Sequence, residues 1–256
     1  MIDHNTASDD ELIAFCKTPG HALSHELPYI VQLSDTAIVK FGVGVYEEEA
    51  NNQRRAFDLL NPHTVRVPRV YRFFQLEIEY GMTEGYLVME YIDGDIPSPE
   101  RYPTLAARLL PILEQFETIQ HSIPGPLGGG ISYGMFWEDD YPCFTSTKTL
   151  EDWINQRIFG KVQKLSFENT TLVLCHMDLA PRNIMELSDG SICILDWASA
   201  GFYPHVFEVA MLQIKPFGEN EDKFIEPLLQ HVMSKQEPTQ LAQVTEAWGN
   251  SQRFHM

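Results

Sequence analysis

The sequence predicts an α+β protein in two lobes: a small antiparallel-sheet lobe with one main helix over residues 1–92, and a larger, mostly helical lobe over 93–256. Three observations predict it. Paired β-branched and aromatic runs fill the first lobe around a single helical stretch. A turn-rich segment, Asp93-Gly94-Asp95-Ile96-Pro97-Ser98-Pro99, then breaks the composition. Beyond it, apolar residues recur mainly at helical spacing.

Ser8-Asp9-Asp10-Glu11 has the capping-box pattern, and Leu12, Ile13 and Phe15 continue a short helix that Thr18-Pro19-Gly20 stops. Tyr29 to Leu33 and Thr36 to Phe41 read as a hairpin joined at Ser34-Asp35, with Lys40 near the end of its second strand. Gly42-Val43-Gly44 is a tight turn; Glu47 stands where a dinucleotide fingerprint would need its third glycine. Glu47 to Leu60 is a helix with Ala50, Phe57 and Leu60 on one face, closed by Pro62. Val70 to Glu79 and Tyr86 to Ile92 are strands around a turn at Thr83-Glu84-Gly85.

In the second lobe, Leu105, Leu109, Ile112, Leu113, Phe116 and Ile119 mark a core helix with Pro111 as a kink. Pro124 to Tyr141, with Gly128-Gly129-Gly130 and Glu138-Asp139-Asp140, reads as a loop too polar and glycine-rich to pack. Thr149-Leu150-Glu151-Asp152 is expected to cap a helix through about Val162. Two short strands, Leu172 to Cys175 and Ile192 to Leu195, precede helices from Pro204 onward.

Composition narrows the function. With 44% hydrophobic and 21% charged residues the chain is globular, which excludes disorder and coiled coil. Its 18 Lys plus Arg against 36 Asp plus Glu leave a net charge of −18, which excludes phosphate-backbone binding and favours cationic or amine-bearing small molecules; no nucleic-acid partner is expected. The acidic start, MIDHNTASDDELIAF, lacks the basic and apolar regions of a secretory leader, and no apolar run approaches the ~20 residues of a membrane span. Cysteines at 16, 143, 175 and 193 form no C-x-x-C pair and the histidines no zinc spacing, so a cytoplasmic protein with reduced thiols and no membrane partner is expected.

The informative segment is Leu172 to Trp197, LVLCHMDLAPRNIMELSDGSICILDW. It holds His176-x-Asp178-x-x-x-x-Asn183 after one strand and Asp196 at the end of another, beyond the turn Ser188-Asp189-Gly190. Phosphoryl transfer needs that set: a carboxylate to orient and deprotonate a hydroxyl, and a carboxylate plus an amide oxygen to hold Mg²⁺ against nucleotide phosphates. By composition the H-x-D-x-x-x-x-N pattern is expected only about 0.02 times per chain.

With Ile38-Val39-Lys40-Phe41-Gly42, Glu49-Ala50, Thr64 to Tyr71, Tyr86 to Gly94, Cys175 to Ile184 and Asp196-Trp197 followed by Ala200 to Pro204, the chain resembles the aminoglycoside phosphotransferase and choline kinase family, most of all its fungal members, within the protein-kinase-like fold. The resemblance implies a bilobal kinase-like fold and a small-molecule substrate phosphorylated with ATP and Mg²⁺. It implies Asp178 as catalytic base and Asn183 with Asp196 as metal ligands. Lys40 would neutralise the α- and β-phosphates, held by an acid on the next helix: Glu49, with Glu47 and Glu48 as rivals. Backbone groups of Glu90 and Ile92, in a hinge at about 89–94, would bond adenine. His176 and Glu208 would brace the catalytic loop.

The sequence departs from that family in three places. No glycine-rich loop precedes Lys40, only one convincing strand lies between the first helix and the lysine strand, and Ala198 and Ser199 follow the Asp-Trp pair. Two readings therefore stand: an ATP-dependent phosphotransferase, or a kinase-like fold repurposed for metabolite or partner binding or for a non-phosphoryl reaction in the same cleft. Nucleotide binding separates them.

Overall fold

Ser8 starts the first helix, α1 (Asp9–Cys16): its hydroxyl accepts from the Glu11 amide while the Glu11 carboxylate accepts from the Ser8 amide. The structure, a computed structural model, describes residues 1–137, 140–159, 164–214, 221–233 and 238–252. The acidic residues Glu138 and Asp139 lie outside the described residues, and the helix expected to run to about Val162 instead ends at Gln156, where Arg157 is its C-cap.

Five antiparallel strands form the N-lobe sheet: β1 (Ala22–Ser24), β2 (Leu27–Gln32), β3 (Ala37–Val43), β4 (Val70–Glu77) and β5 (Thr83–Glu90), in the spatial order β1-β2-β3-β5-β4. Alternate residues of one face, Val31, Val39, Phe41, Tyr86 and Val88, bury against Leu12 and Cys16 of α1. Two expectations are corrected here. A second strand does precede the lysine hairpin, because β1 pairs with β2 around His25-Glu26; at three residues β1 is too short to show a periodicity. The β4–β5 turn falls at residues 78–82, and Thr83, Glu84 and Gly85 pair inside β5. Gly85 marks a close approach there, since a Cβ on it would stand 1.9 Å from the Val45 carbonyl oxygen.

Helix α2 (Glu47–Leu59) buries Glu49, Ala50, Asn52, Gln53 and Ala56, while Phe57 is 44% exposed, against the apolar face expected from its spacing. Its inward stripe is largely polar because those side chains bond backbone across the fold. Gln53, for example, donates to the Pro68 carbonyl at 2.8 Å. The segment around Arg66 joins the lobes: its amide donates to the Ile192 carbonyl at 2.8 Å and its carbonyl accepts from Ile194 at 3.0 Å.

The C-lobe is built on α3 (Tyr102–Thr118), which runs through Pro111 and buries Leu105, Leu109, Ile112, Leu113 and Phe116. Around it lie α4 (Thr147–Gln156), α5 (Val206–Ile214), α6 (Asp222–Met233) and α7 (Pro238–Ser251). Helix α4 is capped by Ser146 with Thr149 in the reciprocal role, so Thr149 is the third helical residue and not the cap. Among the described residues seven short strands complete the lobe: β6 (Gly94–Asp95), β7 (Gln120–His121), β8 (Gly125–Pro126), β9 (Leu172–Cys175), β10 (Ile184–Leu187), β11 (Ile192–Ile194) and β12 (Gly201–Pro204). They form two sheets, β11-β10-β6 and β7-β9-β12-β8, so the two strands flanking the chemical motif belong to different sheets.

The described residues of the loop from Pro124 to Tyr141 pack after all. Phe136 and Trp137 are 1% exposed, and Trp137 meets Phe144, Trp153, Tyr203 and Phe207 in one aromatic cluster. Two large anchors outweigh a polar, glycine-rich average. Gly128 belongs to the same packing, because a Cβ on it would come within 2.5 Å of Asn51.

Candidate active site

Lys40 follows Val39 on β3, so strand alternation turns it away from the α1 core and toward α2. Its Nζ donates to Glu49 Oε1 at 2.6 Å and lies 3.4 Å from Asp196 Oδ1, which comes from the C-lobe. Of the three acids in the first turn of α2, Glu49 alone is buried; Glu47 is exposed and Glu48 half-buried. Burial works against the lysine's charge, but Glu49 and Asp196 together outweigh it and hold its pKa above the ordinary value. Burial likewise pushes Glu49 up, with Lys40 drawing it down. The ammonium at hydrogen-bond distance keeps that carboxyl as its counter-ion.

The catalytic-loop motif leaves β9 and turns sharply, with Met177 at φ 64°. Glu208, from the first turn of α5, accepts from the amides of both His176 and Met177 through Oε2. Full burial raises its pKa to about 7, while the two amides pull the other way. The His176 ring accepts from the Asp178 amide at Nδ1, so Nε2 carries the proton toward the Leu195 carbonyl at 3.1 Å. A ring so placed is a tie between loop and strand. It also meets the Trp197 ring edge-on.

Asp178 presents its carboxylate at the loop surface, where Oδ1 accepts from Arg182 at 2.9 Å. Asn183 is buried, and its Nδ2 donates to the Asp178 carbonyl at 2.9 Å, a bond that does not use its side-chain oxygen. Asp196 follows β11 in the left-handed region, φ 58°, with its side chain 37% exposed. Asp178, Asn183 and Asp196 thus meet through turns rather than through neighbouring strands of one sheet. Such backbone strain concentrates where side chains must be aimed.

The oxygen donors fit Mg²⁺ and nucleotide. Asp196 and the Asn183 amide oxygen are hard ligands, and two suffice for an ion that brings phosphate and water ligands with it. Among the described residues no three His, Cys, Asp or Glu side chains form a metal site of their own.

At the lobe junction the Glu90 side chain holds the 66–69 segment, accepting from Arg66 at 2.7 Å and from the Arg69 amide at 3.2 Å. The Glu90 amide donates to the Arg69 carbonyl at 2.8 Å, and Ile92 is buried.

Two contributors escaped the sequence reading. Arg182, on the ion pair with Asp178, stood inside the recognised motif without a role. Asn52 lies one helical turn after Glu49: Nδ2 donates to the Trp197 and Ala198 carbonyls, each at 3.2 Å, and Oδ1 accepts from the Gly128 amide at 2.9 Å. The i, i+3 relation to Glu49 is the only sequence signal that it shares that face.

Residues 25–250 match the phosphotransferase enzyme family (APH). The chain belongs to that family. Solved structures of similar fold include a thermostable mutant of aminoglycoside phosphotransferase APH(4)-Ia in ternary complex with ADP and hygromycin B, at TM-score 0.54 and 11% identity over 87% of this chain and 80% of that one. Another is amicoumacin kinase hAmiN with AMP-PNP, Ca²⁺ and Ami, at TM-score 0.50 and 14% identity over 96% and 87% of the two chains. At such identities the likeness is one of fold, the bilobal kinase-like architecture. No curated protein sequence matches the chain. Among the described residues no helix is long and apolar enough to cross a membrane.

Proposed function

We propose that this member of the phosphotransferase family transfers the γ-phosphoryl group of ATP to a hydroxyl of a small, cationic or amine-bearing metabolite. The observation that carries the reading is Lys40, an N-lobe ammonium held between Glu49 and the C-lobe carboxylate Asp196, 2.6 and 3.4 Å away. That arrangement supports reading the ammonium as the partner of the polyphosphate and the carboxylate as a metal ligand.

In this reading Lys40 binds the α- and β-phosphates, and backbone groups of Glu90 and Ile92 bond the adenine edge. Asn183 and Asp196 hold Mg²⁺, which when bound neutralises charge on the phosphates. Asp178 orients the acceptor hydroxyl and takes its proton as the oxygen bonds to phosphorus and ADP leaves. His176 and Glu208 fix the loop that carries Asp178. We divide the chain at residues 92 and 93, with the hinge at 89–94, and place the protein in the cytoplasm, where ATP and its four free thiols fit.

One observation favours the second reading, a kinase-like fold without ATP chemistry: the β1–β2 turn carries His25 and Glu26 where phosphate-gripping glycines would be expected. A melting experiment separates the two. Mg²⁺ with ATP at 100 times its dissociation constant adds ~2.7 kcal/mol, which raises the midpoint by roughly 5–11 °C for a chain of this size. Asp196→Ala should lose the metal-dependent shift, whereas Asp178→Ala should keep it and lose ~10²–10⁴ in turnover. No shift with ATP or another nucleotide at millimolar concentration would overturn the proposal in favour of the second reading.

A further inference from the structure

Arg182 carries a charge to which the proposed reaction gives no task. Its Nη2 donates to Asp178 Oδ1 at 2.9 Å, and among the described residues the guanidinium makes no other hydrogen bond or ion pair. The side chain is 58% exposed, so the remaining N–H groups of its fork are open to a ligand.

The pair spans i to i+4 without an α-helix to bring it about. Ala180 is extended, φ −145° and ψ 154°, and Pro181–Asn183 form a single 3₁₀ turn that returns Arg182 onto Asp178. An exposed ion pair adds only ~0–1 kcal/mol to a fold, so stability gives little account of it. The same turn fixes the surroundings. Asn183 donates to the Asp178 carbonyl at 2.9 Å, and its own carbonyl accepts from the amide of Leu195, next to Asp196, at 2.8 Å. Guanidinium, base and metal-ligand candidates therefore share one frame. An acceptor hydroxyl bonded to the Asp178 carboxylate at ~2.6–3.2 Å lies one carboxylate away from the guanidinium, and the phosphorus it attacks is one bond further.

Phosphoryl transfer spreads negative charge over three equatorial oxygens of the group in flight. In the proposed assignment Lys40 is taken up by the α- and β-phosphates, and the β1–β2 turn, with His25 and Glu26, offers no glycine to wrap the terminal phosphate. A planar guanidinium can meet two such oxygens at once, which an ammonium does not.

We propose that Arg182 is a catalytic residue whose guanidinium clamps the phosphoryl group in transit, an inference that rests on the phosphotransfer reading. As an electron pair of the acceptor oxygen bonds to the γ-phosphorus, its proton passes to Asp178 and the bond to the bridging oxygen breaks, its electrons leaving with ADP. Arg182 stays protonated throughout and donates to two equatorial oxygens of the moving group. It is anchored on the base and not on the nucleotide, so its contact strengthens as the group approaches the acceptor, the condition for lowering a barrier.

Mg²⁺ with AMP-PNP reads the ground state; Mg²⁺ with ADP and aluminium fluoride, a stand-in for the phosphoryl group in flight, reads the transition state. By calorimetry on the full chain, aluminium fluoride should raise the affinity for ADP about a hundredfold. Arg182→Met should keep less than about a tenth of that gain while holding AMP-PNP affinity within about twofold. Arg182→Gln, which still hydrogen-bonds Asp178 but carries no charge, should behave alike, and it decides the matter should circular dichroism show that Arg182→Met does not fold. No gain from aluminium fluoride in the unaltered protein, or a gain that survives in either folded variant, would overturn the clamp. So would a variant that loses AMP-PNP and the fluoride complex equally, since the contact would then belong to the ground state. Failure of the unaltered protein to bind either nucleotide would overturn the phosphotransfer reading itself, whereas nucleotide binding with a gain indifferent to Arg182 leaves that reading standing.

Discussion

Asn52 of α2 donates through one amide nitrogen to the carbonyl of Trp197, 3.2 Å away and 145 positions along the chain. The same side chain reaches the Ala198 carbonyl and the Gly128 amide. One residue thus ties the helix that carries Glu49 to the backbone following Asp196 and to the glycine segment of the 124–141 loop. Replacing it by alanine should leave these groups unpaired in a region that is 1% exposed at Asn52 itself. The expected cost is about 1–3 kcal/mol for each group left unpaired in the interior. Nucleotide affinity should fall with it, because the backbone that follows Asp196 loses its bonds to α2. Melting midpoint and dissociation constant measured on Asn52→Ala check this; a variant unchanged in both would show that the three bonds are incidental.

The Lys40–Glu49 pair makes a different prediction, in which order of removal matters. Lys40→Met leaves Glu49 with no counter-charge at 3% exposure, and should cost roughly 3 kcal/mol, toward the low end for such pairs because the lysine is itself 24% exposed. The double substitution Lys40→Met with Glu49→Leu removes the stranded charge and should recover most of that loss. Both proteins should bind nucleotide poorly. Chemical denaturation of the four proteins of the cycle gives the coupling directly, and additive losses would contradict the arrangement.

Glu208 predicts a pH dependence. Its carboxyl is raised by burial to about 7 in the fold against an ordinary 4.5, so the native state holds a proton that the unfolded chain releases. Its contribution is fully present below pH 4.5 and is lost as pH climbs through about 7, an effect of roughly 3 kcal/mol. Glu208→Gln, which can still accept from the His176 and Met177 amides, should flatten stability between those pH values. Denaturation midpoints across that window decide the matter, and an equal slope in both proteins would count against it.

Two glycines should respond oppositely to alanine. Gly85→Ala drives a Cβ to within 1.9 Å of the Val45 carbonyl, a backbone atom that cannot swing aside, and should cost about 1–3 kcal/mol or more. Gly249 lies inside α7 with nothing within 4 Å of its added Cβ, so Gly249→Ala should gain up to ~1 kcal/mol through helix propensity. Thermal melts of the two variants moving in the same direction would refute the assignment of Gly85 to a close approach.

The sequence by itself determined what depends on neighbours along the chain. The cap at Ser8, the β2–β3 hairpin, the α3 stripe from Leu105 to Phe116 and the segment holding His176, Asp178, Asn183 and Asp196 were all legible, because periodicity and turn chemistry act over a few residues. Tertiary structure decided what depends on contacts far apart in sequence. Three consecutive glutamates are equivalent in composition, and only the helix phase against β3 turns Glu49, not Glu47 or Glu48, onto Lys40. Phe57 looked like core and is exposed, because the inward face of α2 is spent on Glu49, Asn52 and Gln53, whose partners lie on other elements. Phe136 and Trp137 pull a glycine-rich loop into an aromatic cluster with nearby Phe144 and with Trp153, Tyr203 and Phe207, which lie on other elements. Burial of a polar or aromatic side chain is stabilising only once its partners are in place, and those partners are chosen by the packing of the whole chain.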